Sequence, residues 1–168
     1  YGHRGYYKDI HFKILDGELT FQLFTSTSNM IHIRYDLLDQ NEWVHAVATY
    51  DGSIAKLYVN GELVGYEEED VGNVDWTTGS NGYFIGGAGD EWDPSFHGSI
   101  DELSIWSEDL SQSEIQSYME DSPSSTESNL SAYWNFNQGA GSTLEDVTGN
   151  GNNGTIYGAT WGGNEELD

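Results

Sequence analysis

Apolar and polar residues alternate along the first third of the chain with the period of two that a half-buried strand requires. YYKDIHFKIL and GELTFQLF flank Asp16-Gly17, and the alternation on both sides predicts a hairpin. MIHIRYDLL continues the pattern, with Ile31, Ile33, Tyr35 and Leu37 on one side and His32, Arg34 and Asp36 on the other, as in a strand with one wet face. WVHAVATY follows, reached through Asp39-Gln40-Asn41. It sets Trp43, His45, Val47 and Thr49 opposite Val44, Ala46, Ala48 and Tyr50, so both faces can be buried. Asp51-Gly52 supplies residues that tolerate positive φ, AKLYV comes next, and Asn60-Gly61 separates it from ELVGY, the strongest short-range hairpin signal a sequence offers. Trp43 to Tyr66 therefore predicts an antiparallel meander laid down locally.

Beyond the meander, EEED at 67–70 reads as a solvated edge that discourages pairing between sheets. From Val71 to Gly98 the spacing loosens, with Gly and Asn breaking the chain around a short predicted strand, YFIGG. FHGSIDELSIW returns to alternation, with Ile100, Glu102, Ser104 and Trp106 on one face and Asp101, Leu103 and Ile105 on the other. Ser111-Gln112-Ser113-Glu114 is a capping box, and Ile115, Tyr118 and Met119 follow at helical spacing, which predicts one short helix. SPSSTESN at 122–129 has Pro and no apolar anchor and reads as a linker. LSAYWNFNQGAGSTLEDVTGNGNNGTIYGATW at 130–161 then brings aromatic strands and Gly-rich turns.

Two of these runs carry a resemblance. Trp-x-His-x-x-x-x-Tyr-Asp-Gly-x-x-x-x-Leu-Tyr-Val-Asn-Gly at 43–61, followed by FxGxIDELxIWxxxLSxxEI at 96–115, resembles the laminin-G-like jelly rolls of the concanavalin A-like lectin/glucanase class. The resemblance implies an all-β, antiparallel jelly-roll sandwich with one short helix. The run from Leu130 resembles the opening of the same family, with an aromatic strand, an Asp-x-Thr-Gly-Asn-Gly-x-x-Gly loop and a Gly-Ala-x-Trp strand, yet here it stands at the end. The family's next two strands have no match in the chain. Residues 1–121 are thus expected to form the main part of a laminin-G-like unit, 122–129 a linker, and 130–168 the opening strands of such a unit. Three arrangements are open. The chain is a piece of a tandem array, a permuted domain whose tail folds back, or a subunit whose tail completes a neighbouring copy by strand donation.

Composition narrows the partners. With 168 residues one domain is expected, and 29 acidic residues against 5 Lys plus Arg give a net charge of −24. That field repels phosphate backbones and anionic lipid surfaces, so no nucleic acid and no membrane insertion is expected. Cysteine is absent, which removes disulfides, thiolate metal sites and thiol nucleophiles. Abundant Gly, Ser, Thr and Asn with 14% aromatics suits an extracellular or cell-surface β domain, and most of the acidity reads as a solvated, salt-tolerant surface. No apolar run approaches the roughly 18 residues of a membrane span. A start at Tyr rather than Met suggests a processed chain or an excised piece.

The glucanases of this class place catalytic carboxylates as Glu-x-Asp-x-x-Glu on one strand face. Glu68-Glu69-Asp70 and Glu91-Trp92-Asp93 begin that pattern, but the final positions are Asn73 and Phe96. No nucleophile elbow, phosphate loop or His-Glu-x-x-His pair is present, so the chain is expected not to be an enzyme.

Calcium is the leading chemical expectation. Asp146-Val147-Thr148-Gly149-Asn150-Gly151-Asn152-Asn153-Gly154 combines a carboxylate, amides and Gly-exposed carbonyls, the oxygen chemistry a hard cation takes. The resemblance implies that this loop sits against the Asp of the closing strand, which makes Asp101, Asp146 and Asn152 the first candidate ligands. The competing reading is a Gly/Asn turn that needs only positive φ. Asp90, Glu91 and Asp93 form a second candidate by positional similarity to pentraxins, against the reading of a solvated acidic loop.

For glycan recognition, Trp76, Tyr83, Trp92 and His97 occupy the loop-rich region where aromatic platforms could form. Trp43, Trp106, Trp134 and Trp161 lie in alternating strands and are expected in the core, as is His45 with a hydrogen-bonded ring. Asn129-Leu130-Ser131 and Asn153-Gly154-Thr155 match glycosylation sequons, which an Asn/Ser/Thr-rich chain produces by chance.

Two functions are open at this point. One is a non-catalytic, secreted module for carbohydrate binding or cell adhesion, with structural calcium and a glycan or cell-surface ligand. The other is a structural repeat or fibre subunit completed by strands from neighbouring copies of itself.

Overall fold

The computed structural model describes residues 10–24, 30–37, 41–68, 83–87 and 96–162. They fall into two compact units, one comprising β1–β6 and α1, the other β7–β10.

In the first unit, β1 (Ile10–Leu15), β2 (Glu18–Phe24) and β3 (Met30–Asp36) form an antiparallel sheet in the order β1-β2-β3. The β1–β2 turn is made by Asp16 at φ 53 and Gly17 at φ 87, the pair of left-handed residues that matches the twist of the flanking strands. β4 (Ala46–Tyr50), β5 (Ile54–Val59) and β6 (Glu62–Glu68) form a second antiparallel sheet in the order β4-β5-β6, the predicted meander. Asn60 at φ 50 and Gly61 at φ 78 make its second turn. Its first is pinned by Asp51, whose carboxylate accepts the N–H groups of Ser53 at 2.8 Å and Ile54 at 2.7 Å.

Strand alternation divides each sheet into two faces. Leu19, Phe21 and Leu23 of β2, Ile31 and Ile33 of β3, and Ala55, Leu57 and Val59 of β5 share one buried core. Gly65 of β6 lies against β3, where an added Cβ would stand 2.7 Å from Ile33 Cγ2. β1 sends Ile10, Phe12 and Ile14 to the side of their partners Leu23, Phe21 and Leu19, but these three are exposed, so the core thins toward that edge.

The helix α1 (Gln112–Glu120) starts where the capping box predicts. Ser111 N–H donates to Glu114 Oε2 at 2.8 Å, and Glu114 N–H returns to Ser111 Oγ at 3.4 Å. Ile115 is buried. Gln112 and Gln116, one turn apart, donate to Gly61 O at 2.9 and 3.1 Å, so the helix grips the tip of the β5–β6 hairpin.

The second unit contains β7 (Leu103–Trp106), β8 (Leu130–Trp134), β9 (Thr143–Leu144) and β10 (Gly154–Thr155). β7 pairs antiparallel with β8 of the same chain, from Leu103↔Trp134 to Trp106↔Leu130, and β9 pairs with β10. Its core holds Ala132, Trp134 and Leu144, with Leu103, Phe136, Ile156 and Trp161 against them. The 122–129 stretch turns the chain back, with Glu127 N–H on Ser124 O at 3.0 Å and Leu130 N–H on Glu127 O at 3.3 Å. β7, placed by sequence with the main part, thus groups with the tail.

Several expectations are corrected. β4 begins at Ala46, and Trp43, ahead of it, is 54% exposed rather than core. His45 is half-buried, but its Nδ1 has no hydrogen-bond partner among the described residues, and desolvation lowers its pKa. YFIGG forms no strand, since Gly86 at φ 77 breaks the extension. β7 loses its first residues because Glu102 adopts φ 52. In the acidic run, Glu67 is not merely solvated, because it accepts His32 N–H at 2.7 Å.

Candidate functional site

Asp146 organises the loop between β9 and β10. Buried at the end of β9, it accepts Tyr133 N–H at 3.2 Å, Thr148 N–H at 3.1 Å and the Thr148 hydroxyl at 2.6 Å on Oδ1. Oδ2 accepts the backbone and side-chain N–H groups of Asn152, each at 3.0 Å. Burial works to raise the Asp146 pKa. The Thr148 hydroxyl and the N–H groups of Asn152, Tyr133 and Thr148 outweigh it and hold the carboxyl at about 2. Asn150 and Asn152 extend the clamp by donating from their side chains to Ser131 O, both at 3.1 Å.

A carboxylate has about four lone-pair directions, and protein donors occupy those of Asp146. The Asn152 amide N–H groups donate to Asp146 and Ser131.

Asp101 is exposed and accepts Glu102 N–H at 2.9 Å; desolvation raises its pKa. Its neighbour Glu102 accepts the Tyr133 hydroxyl, whose pKa is pushed up to about 12 by desolvation and then by that bond. Tyr133 therefore touches the Asp146 loop with its backbone and the Asp101-Glu102 segment with its ring. The two segments belong to one unit. Among the described residues no three His, Cys, Asp or Glu side chains converge to hold a metal.

Of the proposed ligand-binding aromatics, Tyr83 is 78% exposed and stands beside exposed Phe84 and Ile85. His97 is also exposed. Trp76 and Trp92, and with them Asp90, Glu91 and Asp93, lie outside the described residues.

A set of side chains not singled out by sequence converges on the outer face of the first sheet. Register places His11, Gln22 and His32 in one rung across β1, β2 and β3, and Lys13, Thr20 and Arg34 in the next. Along β2 and β3 the alternating neighbours Leu19, Phe21, Leu23, Ile31 and Ile33 are buried in the core, so Thr20, Gln22, His32 and Arg34 lie on the opposite side of the sheet, with His11 and Lys13 paired beside them. Arg34 Nε donates to His32 Nε2 at 2.9 Å, and Gln22 Nε2 lies 3.2 Å from the same nitrogen. His32 is thereby held neutral, its pKa lowered by desolvation and then by the Arg34 and Lys13 charges, against an opposing pull from Glu67. Arg34 also meets Glu18 at 3.5 Å, an exposed and long ion pair. The signal available in sequence was the polar half of the β2 and β3 alternation; the register that aligns it was not.

Among the described residues, antiparallel sheets with one short helix, two of the sheets sharing a core, define an all-β protein of the concanavalin A-like β-sandwich class. A family model of laminin G type, described as the concanavalin A-like lectin/glucanases superfamily, matches residues 4–116, and the chain belongs to this family. Pappalysin-1 of Mus musculus is 38% identical over 81 residues, 47% of this chain but 5% of that protein. Pappalysin-1 of Homo sapiens is 37% identical over 81 residues with the same shares. The chain thus matches about a twentieth of these relatives' length. Among solved structures, a candidate carbohydrate-binding protein from Bacteroides ovatus shares the fold with a TM-score of 0.65 and 23% identity, over 78% of this chain and 38% of that one.

Proposed function

We propose that the chain is a non-catalytic, extracellular module that binds carbohydrate through the outer face of β1–β2–β3. The observation that carries this reading is the row Gln22–His32–Arg34, hydrogen-bonded side chains on rigid strands that serve no core. Sugar hydroxyls are recognised by such donors and acceptors, and a sheet holds them at fixed spacing. The family includes lectins, and the Bacteroides ovatus protein of the same fold is described as a candidate carbohydrate-binding protein. The failed Glu-x-Asp-x-x-Glu pattern supports a module without hydrolysis. The same reading puts the chain at a cell surface or outside the cell. Among the described residues no helix is long and apolar enough to cross a membrane. Pairing of β8 with β7 within one chain supports a tail that belongs to the module rather than one donated to a neighbour. Calcium enters no part of this reading.

Affinity electrophoresis through gels containing a panel of neutral and acidic polysaccharides tests it. Retardation by at least one polysaccharide, reversed by its soluble oligomers, is expected. Free migration through the whole panel would remove the carbohydrate reading.

A further inference from the structure

Where the cations stand suggests what kind of sugar the face takes. Against 29 acidic residues the chain has 5 Lys plus Arg. Among the described residues these are Lys13, Arg34 and Lys56, and the first two flank Thr20 in one rung of the same face. We propose that this face recognises the carboxylate of a uronic acid in a polysaccharide. Lys13 and Arg34 take the carboxylate, and Gln22 and His32 meet the ring hydroxyls. The inference rests on the carbohydrate reading and deepens it.

The geometry supports this assignment. Neighbouring strands are about 4.8 Å apart, so Lys13 and Arg34 rise from backbones about 10 Å apart on the same side. Their long side chains can converge over Thr20, which is only 2% exposed although it faces outward. None of the six residues in the two rungs is acidic. Carboxylates stand at the margin instead. Glu18 and Asp36 are paired one rung along, and Glu67 sits at the β3 backbone.

Arg34 is held for planar recognition. His32 fixes its Nε, which orients the guanidinium, while NH1 shares a 3.5 Å contact with Glu18. The Arg34 side chain is 57% exposed. An exposed ion pair of this kind contributes little, so a sugar carboxylate able to bind the guanidinium in bidentate fashion can displace it. The net charge of −24 disfavours densely charged polymers, but at physiological salt, charges beyond about 8 Å are screened and the local cations dominate for a single carboxylate.

The test compares retardation of the full chain by polygalacturonate and by the same polymer after its carboxyl groups are reduced to alcohols. The variants are R34Q, K13Q and, as a control that removes a cation from the second sheet, K56Q. Retardation by the acidic polymer only is expected, weakened about tenfold or more in R34Q and in K13Q and unchanged in K56Q. Unaltered thermal unfolding of R34Q and K13Q would show that the loss is one of contact. Equal retardation by the reduced polymer, or by R34Q and wild type alike, would overturn the uronate proposal while leaving the carbohydrate reading in place. No retardation by any polysaccharide of the wider panel would overturn both.

Discussion

Replacing Asp146 with alanine is expected to destabilise the unit built from β7–β10 by about 3 kcal/mol. Five donors, from Tyr133, Thr148 and Asn152, converge on this one buried side chain. Removing it takes this acceptor from the backbone N–H groups of Tyr133, Thr148 and Asn152, while the Asn152 side chain keeps Ser131 O. An unsatisfied buried donor costs about 1–3 kcal/mol, and water entering the space left by the carboxylate reduces the sum below that of five separate losses. Asparagine at 146 is expected to recover little, since its NH2 would face the N–H groups of Asn152 or Thr148. Urea denaturation followed by fluorescence, with Trp134 and Trp161 in this unit's core, measures the change.

The pH dependence has a definite sign. A carboxyl depressed to about 2 when folded contributes fully above its unfolded value near 3.8 and loses that contribution as pH falls from there through about 2. Wild type should therefore lose stability across that window more steeply than the alanine variant. An unchanged unfolding midpoint in chelator is expected as well, because protein donors close this loop. Wild-type stability in D146N would contradict the clamp.

Leu57→Ala is expected to cost the first unit about 3 kcal/mol. Leu57 is fully buried in the central strand of its sheet, opposite Ala48 on β4 and Gly65 on β6. Both neighbours across the ladder are small, so Leu57 supplies the bulk at this point of the core. The backbone cannot collapse onto the void, because β5 is hydrogen-bonded on both sides and the ladder already shifts register between Leu57 and Tyr58. Leu63, 45% exposed on β6, gives the contrast, and its replacement by alanine should cost under about 1 kcal/mol. Equal urea midpoint shifts for the two variants would refute the placement of the core.

Much of this fold was legible because its information is local. Asp16-Gly17 and Asn60-Gly61 adopt the left-handed pairs their chemistry favours, and the capping box at Ser111 closes in both directions. The alternation of Ile31, Ile33 and Tyr35 against His32, Arg34 and Asp36 separates core from solvent as read. Where prediction failed, a single backbone angle or a missing partner decided. Glu102 at φ 52 truncates a strand whose alternation was unbroken, and Trp43 precedes the first residue of β4 and is 54% exposed.

The candidate site was less legible, for two physical reasons. Composition shows that Asp146 lies among Asn, Thr and Gly, but not whether its lone pairs face a cation or N–H groups. That depends on β8, which brings Tyr133 N–H to it from 13 residues away. Likewise, His11, Lys13, Gln22 and Arg34 are scattered in sequence and become one surface only through the register of three strands.

Carbohydrate is expected on the outer face of β1–β2–β3. Amide chemical shifts, recorded by NMR during titration with oligomers of a retarding polysaccharide, test it most directly. Shifts concentrated at Lys13, Thr20, Gln22, His32 and Arg34 are predicted. Shifts confined to Tyr83–Gly87 and Phe96–Gly98, with the sheet unmoved, would contradict it and return the site to the loops.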